Sequence, residues 1–122
     1  MTWELTDLDD LEVLLVKTTG ALDSSSADAM AREAWEALLA RGWVRCLIDH
    51  RDLTELPMTT SDIFERAKVL ASLGVTGAIR LAAVHPPAFA ADFRFFETAC
   101  RNRGLVCALF ADAASALDWL TR

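Results

Sequence analysis

Residues 44–84 read VRCLIDHRDLTELPMTTSDIFERAKVLASLGVTGAIRLAAV. This stretch begins with an apolar run at Val44–Ile48 and ends with another at Ile79–Val84, each about as long as a buried strand. Between them, Asp62–Leu73 carries apolar residues at helical spacing and follows Thr and Ser residues that are suited to cap a helix. A strand, a helix and a second strand in this order predict a parallel βαβ unit with a right-handed crossover.

The same alternation continues from this unit to both ends of the chain. Two strand patterns and a helix precede it, and the helix follows the capping residues Asp23–Ser26. A helix, a strand and a short final helix capped by Asp112 come after it. The order ββαβαβαβα therefore predicts one α/β domain over residues 1–122. Its outer elements are predicted at 2–6 (strand), 11–18 (strand), 27–41 (helix), 88–102 (helix), 105–110 (strand) and 113 onward (helix).

Composition and charge narrow the classes of function. The chain has 122 residues and a formal net charge of −6, and an acidic surface disfavours binding to nucleic acid. Cys46, Cys100 and Cys107 lie in apolar patterns without CxxC spacing, so we expect buried, reduced thiols. The acidic N-terminal segment lacks the apolar core of a secretory signal, and no apolar run is long enough to span a bilayer. We therefore expect a cytoplasmic protein.

Several local patterns resemble the SpoIIAA-like branch of the STAS superfamily. They are Gly20–Asp23 (GALD), Leu47–Asp52 (LIDHRD), Arg80–Val84, Gly104–Phe110 and Ala116–Leu120 (ALDWL). The resemblance implies a singly wound, mostly parallel five-stranded sheet with an antiparallel N-terminal strand. It also implies a non-catalytic module for protein interaction or regulation, with a fold similar to that of CRAL-TRIO lipid-transfer domains.

One departure from the family pattern concerns phosphorylation. Anti-sigma-factor antagonists of this family carry a phosphorylatable Ser in a D-S-S-G-like turn after the third strand. The stretch that resembles it here is Asp49-His50-Arg51-Asp52, which has no Ser. The usual phosphorylation switch is therefore not expected at this position. Ser24–Ser26 follow a different strand, and we interpret them as helix-capping residues.

Polar residues follow the predicted strands at the edge where open α/β sheets bind ligands. We expect this edge to bind a ligand or partner, and His50 and His85 to lie close together because they end neighbouring predicted strands. One hypothesis is a metal site, or a histidine base oriented by an aspartate. The alternative, which we favour, is that the aspartates cap loops and pair with Arg51 and that both histidines are partly solvated loop residues, without a metal or cofactor. The candidate residues are Asp23, Ser24, Asp49, His50, Arg51, Asp52 and His85.

Two other functions remain open at this stage. Phe89, Phe93 and Phe96 share one helical face and, extended by Phe64 and Phe95, could line a pocket for a small apolar ligand. A hydrolase using His85 and Asp49 is disfavoured because no nucleophile accompanies them.

The strands are apolar on both faces. A singly wound sheet places most of its helices on one face, so the other face needs a partner chain, a rearranged helix or a ligand. We therefore expect a homodimer.

Overall fold

The computed structural model describes residues 2–122, and its element order is the predicted ββαβαβαβα. The bounds of most elements lie within a few residues of those predicted. The strands are β1 (Thr2–Leu8), β2 (Val13–Ala21), β3 (Arg45–Glu55), β4 (Arg80–Val84) and β5 (Val106–Phe110). The helices are α1 (Ser24–Arg41), α2 (Thr60–Leu73), α3 (Ala90–Arg101) and α4 (Ala113–Leu120), with 3₁₀ turns at Asp9–Leu11 and Pro87–Phe89.

The five strands form one sheet in the order β1-β2-β3-β4-β5. β1 pairs antiparallel with β2, and every other neighbouring pair is parallel. This confirms the predicted singly wound sheet. Because each parallel crossover steps in the same direction with the same hand, α1, α2 and α3 all lie on one face. The carboxyl ends of β2 to β5 therefore meet along one edge.

The sheet has a core on each face. Under α1, α2 and α3, buried side chains such as Val16, Met30 and Cys46 form the larger cluster. On the opposite face, Leu120 of α4 is fully buried against Leu47 and Val84 of the central strands. The sequence left three ways to cover this second face: a partner chain, a rearranged helix or a ligand. In the structure, a helix of the same chain covers its centre. The apolar residues of the central strands thus no longer require a second chain to cover them.

The helix starts follow the capping residues. Asp23 accepts a hydrogen bond from the Ser26 amide at 2.8 Å, so α1 begins at Ser24, three residues earlier than predicted. Thr59 and Asp62 form a reciprocal capping box at the start of α2, with bonds of 3.1 Å and 2.9 Å. These bonds satisfy amides that have no partner within the helix.

β3 is longer than predicted, and this corrects the position of the polar tetrad. The expectation that Asp49–Asp52 forms a loop after the strand is wrong, because β3 continues to Glu55. Its register with β2 shifts between Lys17/Thr19 and between Gly20/Ala21, as at a β-bulge. At the first shift Arg51 and Asp52 are both exposed, so these two charges remain in solvent within the strand. The chain between β3 and α2 is instead 56–59.

Candidate functional site

His50 lies inside β3 and is buried, with 5% of its surface exposed. Among residues 2–122, its ring forms a hydrogen bond between Nδ1 and the Thr18 hydroxyl of β2, at 2.7 Å. Burial lowers the pKa of His50 to about 4, although the nearby charge of Asp49 acts in the opposite direction. The imidazole is therefore neutral near pH 7, and the expectation of a partly solvated loop histidine is wrong.

Phe93 of α3 packs against both histidines. Its ring centroid is 5.0 Å from that of His50 and 6.1 Å from that of His85, against which it stacks. His50 and His85 directly follow the paired residues Asp49 and Val84 of β3 and β4, and both of their rings pack against Phe93. Within residues 2–122, no group of three or more His, Cys, Asp or Glu side chains is placed to hold a metal ion.

Asp49 and Arg51 form a close ion pair on the α4 face. The Asp49 carboxylate accepts hydrogen bonds from Arg51 Nε at 3.0 Å, from Nη2 at 2.7 Å and from the Arg51 amide at 3.1 Å. Burial raises the pKa of Asp49, but the hydrogen bonds and charge of Arg51 outweigh burial and hold it below the usual value. Asp49 lies on the opposite face from His85, so the two do not form the acid–base pair of a hydrolase.

A charged patch surrounds Arg51 at the carboxyl edge of the α4 face. We define it as Lys17, Arg51, Asp52 and Asp112. Lys17 Nζ lies 3.5 Å from Asp52 Oδ2, and both side chains are about half exposed. Asp112 is the cap of α4. The hydrogen bonds from Ser115, together with the nearby charge of Arg51, lower its pKa. The patch therefore alternates in charge and is open to solvent.

Asp23 and Ser24 lie at the start of α1, on the other face of the sheet. Asp23 is exposed and serves as the helix cap, and the same bonds from Ser26 lower its pKa. The Ser24 carbonyl accepts a hydrogen bond from Arg66 Nη1 of α2 at 2.7 Å. Arg66 also lies 3.1 Å from Asp28 of α1, which ties the two helices together. The candidate residues are therefore divided between two faces rather than gathered in one site.

An apolar cavity of about 120 Å³ lies between the sheet and helices α1, α2 and α3. Most of its wall is aliphatic or aromatic, and its few polar side chains are those of Asp28, His50 and Arg66. The predicted aromatic stripe contributes in part, because Phe93 and Phe96 line this space. The prediction for the other aromatics is wrong. Phe64 and Phe95 pack edge-to-face on each other with centroids 4.7 Å apart, Phe64 is 48% exposed, and neither they nor Phe89 line the cavity.

The three cysteines are buried and free, as predicted. Burial raises the pKa of the Cys46 thiol to about 12. The pKa of Cys107 is also well above the usual value, through a hydrogen bond with Cys100 and burial. A thiol with a raised pKa is a poor nucleophile, so these side chains act as small apolar core residues.

Several residues of these sites were missed from sequence. Thr18 reads as one more strand residue, and Lys17 as an ordinary exposed position. Arg66 and Asp28 lie 38 residues apart on different helices, and no local pattern links them. Only their positions within their helices, beside the buried residues Ala67 and Ala27, suggested contact with the core.

The chain was compared with known proteins. No family model and no curated protein matches it. Solved structures do match: the anti-sigma factor antagonist SpoIIAA in its unphosphorylated form is 16% identical, with a TM-score of 0.57 over 97% of this chain and 96% of that one. The phosphorylated Bacillus cell fate determinant SpoIIAA is 15% identical, with a TM-score of 0.56 over 97% and 98% of the two chains.

An uncharacterised protein from Shewanella loihica with a SpoIIAA-like fold is 23% identical, with a TM-score of 0.56 over 98% of this chain and 92% of that one. Likeness at this level of identity concerns the course of the backbone rather than particular side chains. It agrees with the strand order and the mixed pairing described above. The chain therefore has the SpoIIAA-like fold of STAS domains.

Proposed function

We propose that the chain is a non-catalytic protein-interaction or regulatory module of the STAS type. Two of its structural relatives are SpoIIAA, one of them named as an anti-sigma factor antagonist, and they share the fold along nearly the whole length of both chains. The proposal is supported further by the separation of the candidate polar residues, which leaves no assembled catalytic group among residues 2–122.

The observation that carries this proposal is the fixed position of Arg51 within the charged patch. Asp49, with only 7% of its side chain exposed, holds the guanidinium by two hydrogen bonds, while about half of the Arg51 side chain remains exposed. An ordered arginine loses little side-chain entropy when it binds, and arginine is enriched among residues that dominate interface energies. Its remaining donors suit a carboxylate on a partner protein.

Affinity capture from an extract of the native host tests this proposal. We expect the wild-type chain to retain a specific protein and the Arg51→Met variant to retain it at least about tenfold more weakly, the scale of a central interface residue. Arg94→Met is the matched control, because Arg94 is an exposed arginine on α3, on the other face. Equal capture by wild type and Arg51→Met would contradict the proposed contact surface.

We propose that this interaction does not depend on phosphorylation within Asp49–Asp52, since these four residues carry no hydroxyl. In the structure, the connection that follows β3 is formed by residues 56–59 rather than by the tetrad. The hydroxyl-bearing residues at its end are Thr59, Thr60 and Ser61. Thr60 and Ser61 begin α2, and the Thr59 hydroxyl is engaged in the α2 cap.

The second candidate function is the binding of a small apolar ligand, and the cavity beneath α1, α2 and α3 is the observation that favours it. Cavities lined by apolar side chains are the usual sites for such ligands. A hydrolytic role for His85 and Asp49 is not proposed, because the two side chains lie on opposite faces of the sheet.

We also propose that the chain forms a homodimer. α4 covers the central strands, whereas Leu8 of β1 and Leu15 of β2 remain only partly buried beside it. A second copy that covers this end of the sheet would complete the burial of its apolar face.

A cytoplasmic location is proposed on the three buried free thiols, which persist in a reducing compartment. No helix within residues 2–122 has the length and apolar character needed to cross a membrane. The net charge of −6 further supports a partner other than nucleic acid.

A further inference from the structure

The cavity exists because small side chains face the sheet where larger ones would fill the space. Ala27, Ala31 and Ala34 lie along the inner side of α1, and Ala83 faces them from β4. Its volume of about 120 Å³ approaches the roughly 150 Å³ of engineered apolar cavities that take up benzene. The space therefore suits a molecule with the size of one substituted aromatic ring.

One of the residues that line this cavity carries a buried polar atom without a partner. Arg66 lines it, its Nε is buried, and this atom has no hydrogen-bond partner among residues 2–122. The other contacts of the side chain are made by Nη1, with the Ser24 carbonyl and the Asp28 carboxylate. Asp28 Oδ1 lies 3.1 Å from Nη1 but lacks hydrogen-bond geometry. Leaving a buried donor unpaired costs free energy, so an acceptor beside Arg66 Nε would be stabilising.

The charges around the cavity indicate which acceptor fits. The charge of Arg66 is already balanced by Asp28, and His50 on the opposite wall is neutral near pH 7 because burial lowers its pKa. A ligand carboxylate would bring an uncompensated negative charge into an apolar space, which is unfavourable. A neutral oxygen satisfies the donor without that cost.

We infer that the cavity binds a small, neutral, largely apolar molecule with one acceptor oxygen, which accepts a hydrogen bond from Arg66 Nε. This inference rests on the small-ligand function proposed above and specifies its ligand class. A ketone or an aromatic alcohol about the size of one substituted ring meets each condition.

Three probes separate the cavity from its polar group: toluene, acetophenone and benzoate. Binding is measured by titration with the methionine methyl groups labelled, because Met30 and Met58 line the cavity. We expect shifts of both methyl signals with toluene and with acetophenone, and at least about tenfold weaker binding of benzoate, which carries the unbalanced charge. Tighter binding of benzoate than of acetophenone would overturn the choice of a neutral ligand.

Arg66→Met tests the donor. We expect it to weaken acetophenone about tenfold while toluene changes by less than about twofold, since only acetophenone accepts a hydrogen bond. Arg32→Met is the matched control, because Arg32 is an exposed arginine of α1 outside the cavity. If Arg66→Met leaves the affinity for acetophenone unchanged, the assigned hydrogen bond is wrong, although toluene binding would still support the cavity.

Ala34→Met tests the cavity itself. The longer side chain should fill the space and abolish the binding of toluene and acetophenone, whereas Ala29→Met on the exposed side of α1 should leave both unchanged. If Ala34→Met does not fold, the wild-type methyl shifts decide the question. Failure of toluene and acetophenone to bind the wild-type chain would remove the small-ligand function together with this inference.

Discussion

His50 is a residue whose surroundings produce a measurable dependence of stability on pH. Its pKa in the folded chain is about 4, below the usual 6.5, so between these values the unfolded chain binds a proton that the folded chain does not. Stability therefore falls as the pH falls through this window. We expect the free energy of unfolding, measured with urea, to decrease by about 2 kcal/mol from pH 7 to pH 5 through this residue.

Two variants separate the contribution of His50 from the rest. His50→Leu removes the buried imidazole and should lose most of this decrease. His85→Asn removes the other histidine of the chain and leaves His50 in place, so it should retain the decrease. A wild-type free energy of unfolding that does not change between pH 7 and pH 5 would show that His50 is not buried as described.

At the scale of an element, the capping box of α2 decides where this helix begins. Thr59 accepts a hydrogen bond from the Asp62 amide, and Asp62 accepts one from the Thr59 amide. We expect Thr59→Ala to lower the free energy of unfolding by about 1 kcal/mol, because the first turn loses a side-chain acceptor. Urea denaturation measures this loss.

Thr60→Ala is the matched control for the cap. Thr60 is the adjacent, exposed first residue of the helix and takes no part in the box. Its substitution should change stability by less than about 0.5 kcal/mol. An equal loss in both variants would mean that the helix start, rather than the box, is sensitive to substitution.

At the scale of the whole molecule, α4 limits how much of the sheet a second copy could cover. The half-buried Leu8 lies on β1 at the edge of the sheet, on the α4 face. We expect the wild-type chain to have the mass of a dimer by light scattering at micromolar concentration. Leu8→Lys should shift it to the monomer, because a charged side chain there disfavours burial and edge pairing.

Leu39→Lys is the control for self-association, because Leu39 is 61% exposed on α1, on the opposite face of the sheet. It should leave the mass of the particle unchanged. Circular dichroism serves to check that both variants are folded. A wild-type chain that has the mass of a monomer throughout this range would contradict the proposed dimer.

Most of the fold could be predicted from sequence because its signals are local. The apolar runs, the spacing of residues such as Met30, Ala34 and Leu38, and the caps at Asp23 and Asp112 depend on neighbours within a few positions. The length of β3 could not be predicted in this way. Its polar residues Asp49–Asp52 are compatible with a strand only because β2 continues beside them and a register shift leaves Arg51 and Asp52 outside the core.

The candidate site was predicted less well, because it depends on side chains from distant parts of the chain. The sequence placed His50 and His85 at one edge, but it did not show that the ring of Phe93 packs against both. The pairing of Asp49 with Arg51 was expected, but in a loop rather than within β3. The contact of Arg66 with Asp28 requires the packing of α2 against α1, which no local pattern specifies.

The sequence by itself determined the order of the elements, the mostly parallel pairing implied by that order and the burial of the three cysteines. These features follow from hydrophobic period and capping chemistry, which act over short distances along the chain. Only the tertiary structure decided that α4 covers the second face, that His50 is buried beside Thr18, and that a cavity remains beneath the alanines of α1. Those features depend on the volumes and directions of side chains that meet only after the sheet has formed.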